Sequence, residues 1–181
     1  MSEWQQMEDI KLHPNHRWQA KKGYKQFVAN RGTVSFYFPR KWIDIPDGPV
    51  IQFYDKRPPN FNCILSVTCI TLPASFWKRL SIVEQLQDLV DKEKFEVVSR
   101  GSMFKEQRDE FDLVWTEQCL VDPDKNRNFI CRYCLAQSER VQTLIIFKFW
   151  ASKVRRFDPI WEEIRNSLML ERYFKDPRMG V

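Results

Sequence analysis

Apolar and polar residues alternate along seven segments of the chain, which is the pattern of β-strands that bury one face. In TVSFYF, for example, Val34, Phe36 and Phe38 fall on one side, while Ser35 and Tyr37 fall on the other. The seven segments are residues 33–38, 50–54, 63–72, 95–104, 111–121, 128–136 and 141–151. Short breaks separate the first three, which we expect to form an antiparallel meander, and we expect all seven to pair into a single sheet.

Two segments change to the spacing of a helix. Ser81 and Glu84 have the spacing of a capping box, which predicts a helix start between the third and fourth strands. The apolar stripe of that helix consists of Ile82, Leu86, Leu89 and Val90. A last helix is expected to begin with Asp158 as N-cap and Pro159 in the first helical position. This order of elements predicts an α+β fold, in which a largely antiparallel sheet of about six to seven strands is flanked by helices.

Three features together resemble the PsbP/Mog/DcrB superfamily over about residues 32–170. They are the aromatic strand VSFYFPRKW, the helix between the third and fourth strands, and the closing segment FDPIWEEIRNSLML. The resemblance implies a PsbP/Mog-like α/β/α sandwich. It also implies a role in binding proteins, since members include photosystem accessory subunits, a Ran-binding protein, periplasmic lipoproteins and bacterial secretion-effector chaperones. It offers no catalytic residues to carry over to this chain.

Positive charge is concentrated at the front of the chain, whose overall net charge is +5. Residues 11–43 contain no acidic residue, and their basic residues are Lys11, Arg17, Lys21, Lys22, Lys25, Arg31, Arg40 and Lys41. From residue 44 onward, basic and acidic residues balance. Charge and resemblance together predict a basic N-terminal extension (1–31), a PsbP/Mog-like domain (32–171) and a C-terminal tail (172–181).

The segment KLHPNHRWQAKKGYK (11–25) combines basic and aromatic side chains, and three interpretations are open. It is a solvated tail whose Trp18 docks on its own domain, an arm that binds an acidic protein surface, or a site for nucleic acid or an anionic membrane. Separately, a loop containing Phe76 and Trp77 covers a sheet edge or forms an interface. The candidate partner-binding residues are Arg17, Trp18, Lys21, Lys22, Tyr24, Lys25, Phe76 and Trp77.

Catalysis and metal binding find little support in the sequence. The segment CRYC has CxxC spacing, but Cys131 and Cys134 would face opposite sides of a strand. The chain has no second CxxC to complete a zinc site, and its five glycines form neither GxGxxG nor a Walker loop. A carboxylate pair of Glu106 with Asp109 or Glu110 is the remaining enzyme hypothesis. We therefore predict no catalytic residue, no metal and no cofactor.

The five cysteines lie in apolar strand segments without the spacing of a disulfide framework, which favours reduced thiols in the cytoplasm. The opening residues MSEWQQMEDI lack the features of an export signal, and no apolar run reaches the ~20 residues that span a bilayer. The sequence thus predicts a non-enzymatic, cytoplasmic macromolecule-binding protein: an adaptor, a chaperone or an accessory (assembly) factor. A protein is the expected partner. A nucleic acid or anionic surface bound through residues 11–25 is the first alternative, and the enzyme hypothesis is the second.

Overall fold

The computed structural model describes residues 9–73 and 81–181. Within these residues the chain forms eleven β-strands and two α-helices. The strands are β1 (Tyr24–Ala29), β2 (Val34–Pro39), β3 (Ile43–Asp47), β4 (Val50–Tyr54), β5 (Cys63–Thr71), β6 (Val97–Arg100), β7 (Phe104–Gln107), β8 (Asp112–Asp122), β9 (Arg127–Gln137), β10 (Val141–Trp150) and β11 (Met169–Leu170). The helices are α1 (Ile82–Asp91) and α2 (Val154–Ser167), and a 3-10 turn, Ala151–Lys153, joins β10 to α2.

The strands pair in antiparallel fashion, but they form two sheets rather than the single sheet expected. The large sheet has eight strands in the order β3-β4-β5-β10-β9-β8-β6, with β7 also paired to β8. The small sheet has the order β1-β2-β11, so the first predicted strand lies outside the large sheet, and β3, β4 and β5 form the meander. Strand β2 lies outside the large sheet because both of its faces are buried. Val34, Ser35 and Phe36 are buried in succession, because the small sheet packs over the large one.

The small sheet and α2 cover one face of the large sheet, and α1 covers the other. The core on the α2 side is aromatic, and its buried members include Phe36, Phe38, Phe53, Phe147, Phe149, Phe157 and Trp161. On the opposite side, Ile82, Leu86 and Val90 of α1 face the sheet. Burying each such side chain contributes roughly 1.5–3 kcal/mol before the entropy of ordering is counted. This arrangement is the α+β sandwich that the sequence predicts, with a sheet of eight strands in place of six to seven.

The two helices begin in different ways. Helix α1 has the predicted capping box, in which the Glu84 amide donates to the Ser81 hydroxyl (3.1 Å) and the Ser81 amide donates to the Glu84 carboxylate (3.0 Å). Helix α2 begins at Val154, so the prediction of Asp158 as its N-cap is wrong, and Pro159 lies inside the helix. The helix starts earlier because the 3-10 turn leads the chain from β10 directly into helical geometry.

The segment expected to be an extension (1–31) contains β1, which pairs with β2 along its whole length. Phe27 of β1 is buried in the aromatic core. The small sheet therefore begins at Tyr24, and the expected boundary between residues 31 and 32 falls in the turn between β1 and β2.

Candidate partner-binding surface

Strands β6 and β7 form one edge of the large sheet, where they follow one another along β8. In the part of the chain that the structure describes, no further strand pairs with them, so their outward amide and carbonyl groups face away from the sheet. The opposite edge, β3, contains Pro46, which has no N–H to donate, and Asp44, which forms an ion pair with Lys25. We call Val97–Arg100 together with Phe104–Gln107 the β6–β7 edge. Neither strand of this edge contains proline, so each of its residues has an N–H to donate.

An exposed aromatic stack lies on this edge. The ring of Phe104 is stacked on Trp115 of β8, with centroids 4.7 Å apart and planes inclined by 20°, yet the residue is 47% exposed. The Arg165 guanidinium of α2 lies 4.6 Å from the Trp115 ring. Aromatic and arginine side chains dominate the energetically important positions of protein interfaces. We call these three residues the Phe104 stack.

An ion-pair network holds the elements beneath the stack in place. Arg132 of β9 donates to Glu117 of β8 (2.9 Å) and to Asp158 of α2 (2.6 Å). Its guanidinium also lies 5.1 Å from the ring of Phe149. One buried side chain therefore ties β8, β9 and α2 together, and the Phe104 stack is presented on rigid elements rather than on a loop.

The enzyme hypothesis requires Glu106 of β7 as an acid or base, but its carboxylate is ion-paired with two arginines. Its carboxylate accepts hydrogen bonds from Arg165 and, at 3.1 Å, from Arg108. Asp109 and Glu110 are exposed in the turn before β8. The geometry gives Glu106 a structural role in anchoring α2 to the β6–β7 edge.

A small cavity lies on the other face of the sheet, beneath α1. Its volume is about 60 Å³, and it is lined by Gln87, Val90, Arg100, Gly101, Met103, Thr116 and Gln118. Gln118 of β8 is only 1% exposed, and among residues 9–73 and 81–181 neither its amide nitrogen nor its amide oxygen has a hydrogen-bond partner. The β6–β7 edge therefore carries an aromatic stack on one face and a polar cavity on the other.

Some of the predicted partner-binding residues in the basic segment make contacts within the chain, and others are exposed. Trp18 is buried, with its ring 4.5 Å from that of Phe174 and its Nε1 donating to the carbonyl of Pro177 (2.7 Å). Lys21 is ion-paired with Glu163. This contact raises the pKa of the Lys21 ammonium, because the neighbouring carboxylate favours its charged form.

Lys25 is likewise engaged within the chain, since it pairs with Asp44 (3.2 Å) and lies 5.0 Å from the Phe38 ring. Tyr24 is half-buried, and burial raises the pKa of its phenol. Arg17 and Lys22 are exposed. Intramolecular contacts therefore use Trp18, Lys21 and Lys25, and the contacts of Trp18 with Phe174 and Pro177 lie in the C-terminal segment 172–181.

The pairing of β1 with β2 brings further basic residues beside Lys22. The Arg40 amide donates to the carbonyl of Gly23 (2.8 Å), so the turn after β2 lies against the segment before β1. Lys22, Arg40 and Lys41 are all exposed. Among the residues described, none of the three is ion-paired. We call these three residues the basic cluster.

The Phe104 stack is absent from the candidates drawn from the sequence. Phe104 is the last residue of an alternating segment there, and only the register of β7 with β8 and the position of α2 show its stacking and exposure. The candidates Phe76 and Trp77 lie outside the described residues.

Cys131 and Cys134 face opposite sides of the sheet, as predicted, and belong to different cores. Within residues 9–73 and 81–181, no group of His, Cys, Asp and Glu side chains could hold a metal ion. Over the same ranges, no helix is long and apolar enough to cross a membrane.

Comparison with known proteins finds relatives that are similar in sequence over most of the chain. The Alr1449 family model matches residues 25–174. The uncharacterized protein alr1449 of Nostoc sp. (strain PCC 7120) is 35% identical over 175 residues, which are 96% of this chain and 91% of that protein.

Two solved structures share the fold at low sequence identity. Cyanobacterial PsbP (CyanoP) from Synechocystis sp. PCC 6803 matches with a TM-score of 0.56 and 12% identity, covering 83% of this chain and 94% of that one. A crystal structure from Bacteroides thetaiotaomicron matches with a TM-score of 0.53 and 14% identity over 83% of this chain. The chain spans about half, 49%, of the length of that second protein. The PsbP-like fold expected from the sequence is thereby confirmed.

Proposed function

The chain belongs to the Alr1449 family, and from that premise we propose that it is a non-enzymatic protein that binds a protein partner, as an adaptor, chaperone or accessory (assembly) factor. The PsbP-like fold supports this role, because the superfamily resemblance implies members that act mostly by binding proteins. Its five cysteines are free thiols, which supports a cytoplasmic location as part of the proposal.

The observation that carries the proposal is the Phe104 stack on the β6–β7 edge. The Phe104 ring is 47% exposed, and its transfer from water into an interface is favourable in free energy. The adjacent backbone of β7 offers hydrogen bonds to an extended segment that adds to the sheet as a further strand. The proposed partner therefore presents an extended segment to β7 and an apolar side chain to Phe104.

Photo-crosslinking identifies such a partner and maps its contact. A benzoylphenylalanine crosslinker is placed at Phe104 and, in a second variant, at Tyr173, an exposed aromatic residue in the C-terminal tail (67% exposed). We expect a protein adduct from position 104 and none from position 173. Placing the crosslinker at Phe76 and Trp77 tests whether these predicted contacts belong to the same interface.

The purified partner then gives the energetic test. We expect Phe104→Ala to weaken binding about 30-fold, the effect of losing a contact worth about 2 kcal/mol. Tyr173→Ala, the matched control, should leave the dissociation constant unchanged. An unchanged dissociation constant for Phe104→Ala, or adducts formed only from position 173, would contradict the proposal.

The basic cluster favours a second candidate function, the binding of a nucleic acid or an anionic surface. Removing residues 1–31 would delete β1 as well as the charges, so the combined substitution of Lys22, Arg40 and Lys41 by glutamine is the better test. Binding of an oligonucleotide through this cluster would weaken steeply with salt and fail in the triple variant. Binding through the Phe104 stack would be unaffected by either change.

A further inference from the structure

We infer that one end of the large sheet, which we call the basic end, binds a single-stranded nucleic acid. The basic end consists of the segments before β3 and β6, the loop between β4 and β5, the turn between β8 and β9, and the chain from the end of β10 into α2. Its residues are 40–42, 55–62, 95–96, 122–127 and 148–156. Phe104 pairs with Trp115, seven residues before Asp122 at this end of β8, a separation of about 23 Å. The inference therefore goes beyond the proposed protein-binding role.

Antiparallel pairing gathers positive charge at the basic end. The starts of β3, β5 and β9 alternate there with the ends of β4, β10 and β8. The residues of the basic end include ten basic and four acidic side chains, so their net charge is +6, compared with +5 for the whole chain. Five spacings of about 4.8 Å separate β3 from β8, so the charge is spread over about 24 Å. Arg40 and Lys41 of the basic cluster are two of the ten cations, and the inference enlarges the site of the second candidate function by the other eight.

Nine of the ten cations have no ionic partner in the described part of the chain. The exception is Arg156, which is paired with Asp55 (3.3 Å). A second acid, Asp122, accepts hydrogen bonds from the backbone amides of Asp124 and Lys125 (3.0 and 3.1 Å). Acids of the basic end are thus used within the chain, and its cations are left for a polyanion.

Aromatic rings lie between the cations on the α1 side of the sheet. The Lys125 ammonium and the Arg127 guanidinium lie 4.9 and 4.5 Å from the centre of the Trp150 ring. Phe95 is 37% exposed, and the Lys148 ammonium lies 5.7 Å from its ring. A strand whose phosphates follow these cations would pass an exposed ring on which a base can stack.

The start of α2 gives an independent reason to expect an anion. The positive end of a helix dipole favours acidic residues in the first turn, but the first turn of α2 has none. It contains Arg155 and Arg156 instead, and the N-cap residue is Lys153. A bound phosphate would offset the repulsion between these charges and the helix dipole.

The same features favour a single strand over other polyanions. A duplex keeps its bases stacked inside and presents its phosphates, so it would gain nothing from the Phe95 ring. An anionic membrane favours exposed large apolar side chains, but the exposed residues of 55–62 and 122–127 are charged residues, asparagine and proline. An acidic protein segment would be attracted to the same cations but would not require a planar ring at Phe95.

Fluorescence anisotropy of a labelled single strand of about 12 nucleotides, titrated with the full chain over a salt series, tests the site. The combined substitution of Lys125, Arg127 and Lys153 by glutamine removes three cations from two turns of the basic end. We expect it to weaken binding at least tenfold at about 100 mM salt. The slope of log K against log salt concentration should fall by about 2, because each phosphate contact on a single strand contributes ~0.7.

The matched control is the combined substitution of Arg31, Arg140 and Lys175 by glutamine. These three residues are exposed, lie outside the basic end and form no ion pair among the described residues. We expect binding to change less than about twofold, and both triple variants to keep the wild-type urea unfolding midpoint. An equal loss of binding in the control would show that only overall charge matters and would overturn the inference.

The variant Phe95→Leu separates base stacking from charge. It keeps an apolar side chain against Phe129, whose ring lies 5.2 Å from that of Phe95, and removes the aromatic ring. We expect at least fivefold weaker binding with an unchanged salt slope, since no cation is lost.

Several results would contradict a single-strand site. They are no binding by the wild type, equally tight binding of a duplex or a polyglutamate peptide, unchanged binding by Phe95→Leu, and unchanged binding by the Lys125, Arg127 and Lys153 variant. If only the substitution of Lys22, Arg40 and Lys41 abolished binding, the second candidate function would stand and this inference would fail. None of these readouts involves Phe104, so failure here is distinguishable from failure of the proposed protein-binding role.

Discussion

The substitution Trp18→Ala should release the N-terminal segment from the C-terminal tail without unfolding the sandwich. The segment is held on the tail by the Trp18 indole and by two backbone hydrogen bonds, from the His13 amide to Arg178 (3.1 Å) and from the Arg17 amide to Met179 (2.8 Å). The Gln19 amide, which donates to the Tyr37 hydroxyl (3.1 Å), and the Lys21–Glu163 ion pair attach the end of the segment to the sandwich. Of the contacts that hold this segment, the Trp18 side chain is the only large buried apolar one among residues 9–23. The tail interpretation of the basic segment depends on this contact.

The magnitude follows from the burial of the indole. Trp18 is 9% exposed and donates a hydrogen bond from Nε1 to Pro177 (2.7 Å), and replacing a buried tryptophan by alanine costs about 3–5 kcal/mol. Because the segment lies at one end of the chain, this loss appears as local opening rather than as a loss of global stability. A change of about 3 kcal/mol raises the opening constant by more than about 100-fold.

Amide hydrogen exchange measures this opening directly. In Trp18→Ala, we expect the amides of His13 and Arg17 to exchange more than 100-fold faster, while amides in the centres of β9 and β10 keep their rates. Tyr173→Ala is the control, because it removes an exposed aromatic residue from the same tail. If His13 and Arg17 retained their protection in Trp18→Ala, the indole would not be what holds the segment, and the reasoning would be refuted.

Two further substitutions test the interior of the sandwich. Arg132→Ala should lower the free energy of unfolding by about 2 kcal/mol in urea denaturation, less than the 3–5 kcal/mol of a fully buried pair because Glu117 and Asp158 are 39% and 45% exposed. Arg132→Lys should recover part of that loss. Burial raises the pKa of the Cys131 and Cys134 thiols from 9.0 to about 12, so the folded state resists ionisation that the unfolded state undergoes. Stability that is complete below pH 9 should therefore fall as the pH rises from 9 towards 12, and the double substitution by alanine should flatten this slope in denaturation series at pH 8 and 10.

The parts of the fold that were predictable from the sequence are those that local signals determine. The start of α1 follows from Ser81 and Glu84 alone, because a capping box is completed within one turn. The opposite orientation of Cys131 and Cys134 follows from the alternation of side chains along any strand.

The features that were not predictable depend on contacts between distant segments. Strand β1 lies in a basic stretch, and it is stable because Phe27 packs on Phe36 and Phe53 of other strands (centroids 5.0 and 5.3 Å). The earlier start of α2 depends on the turn that precedes it, although Asp158 and Pro159 are favourable at a helix start in isolation. Packing over the large sheet outweighs the local sequence preference at β1, and the preceding 3-10 turn outweighs it at α2.

The Phe104 stack and the cavity both include residues of β8. The spacing of these residues along the strand places the two features on opposite faces of the sheet. Trp115 and Gln118 are three residues apart on β8, and side chains separated by an odd number lie on opposite faces of a strand. The stack therefore belongs to the α2 side and the cavity to the α1 side, although both lie where β6 and β7 pair with β8. A partner strand added to β7 would lie outside both features and would direct alternate side chains to the two faces of the sheet. Only the side chains of such a strand that point to the α2 side can therefore contact Phe104.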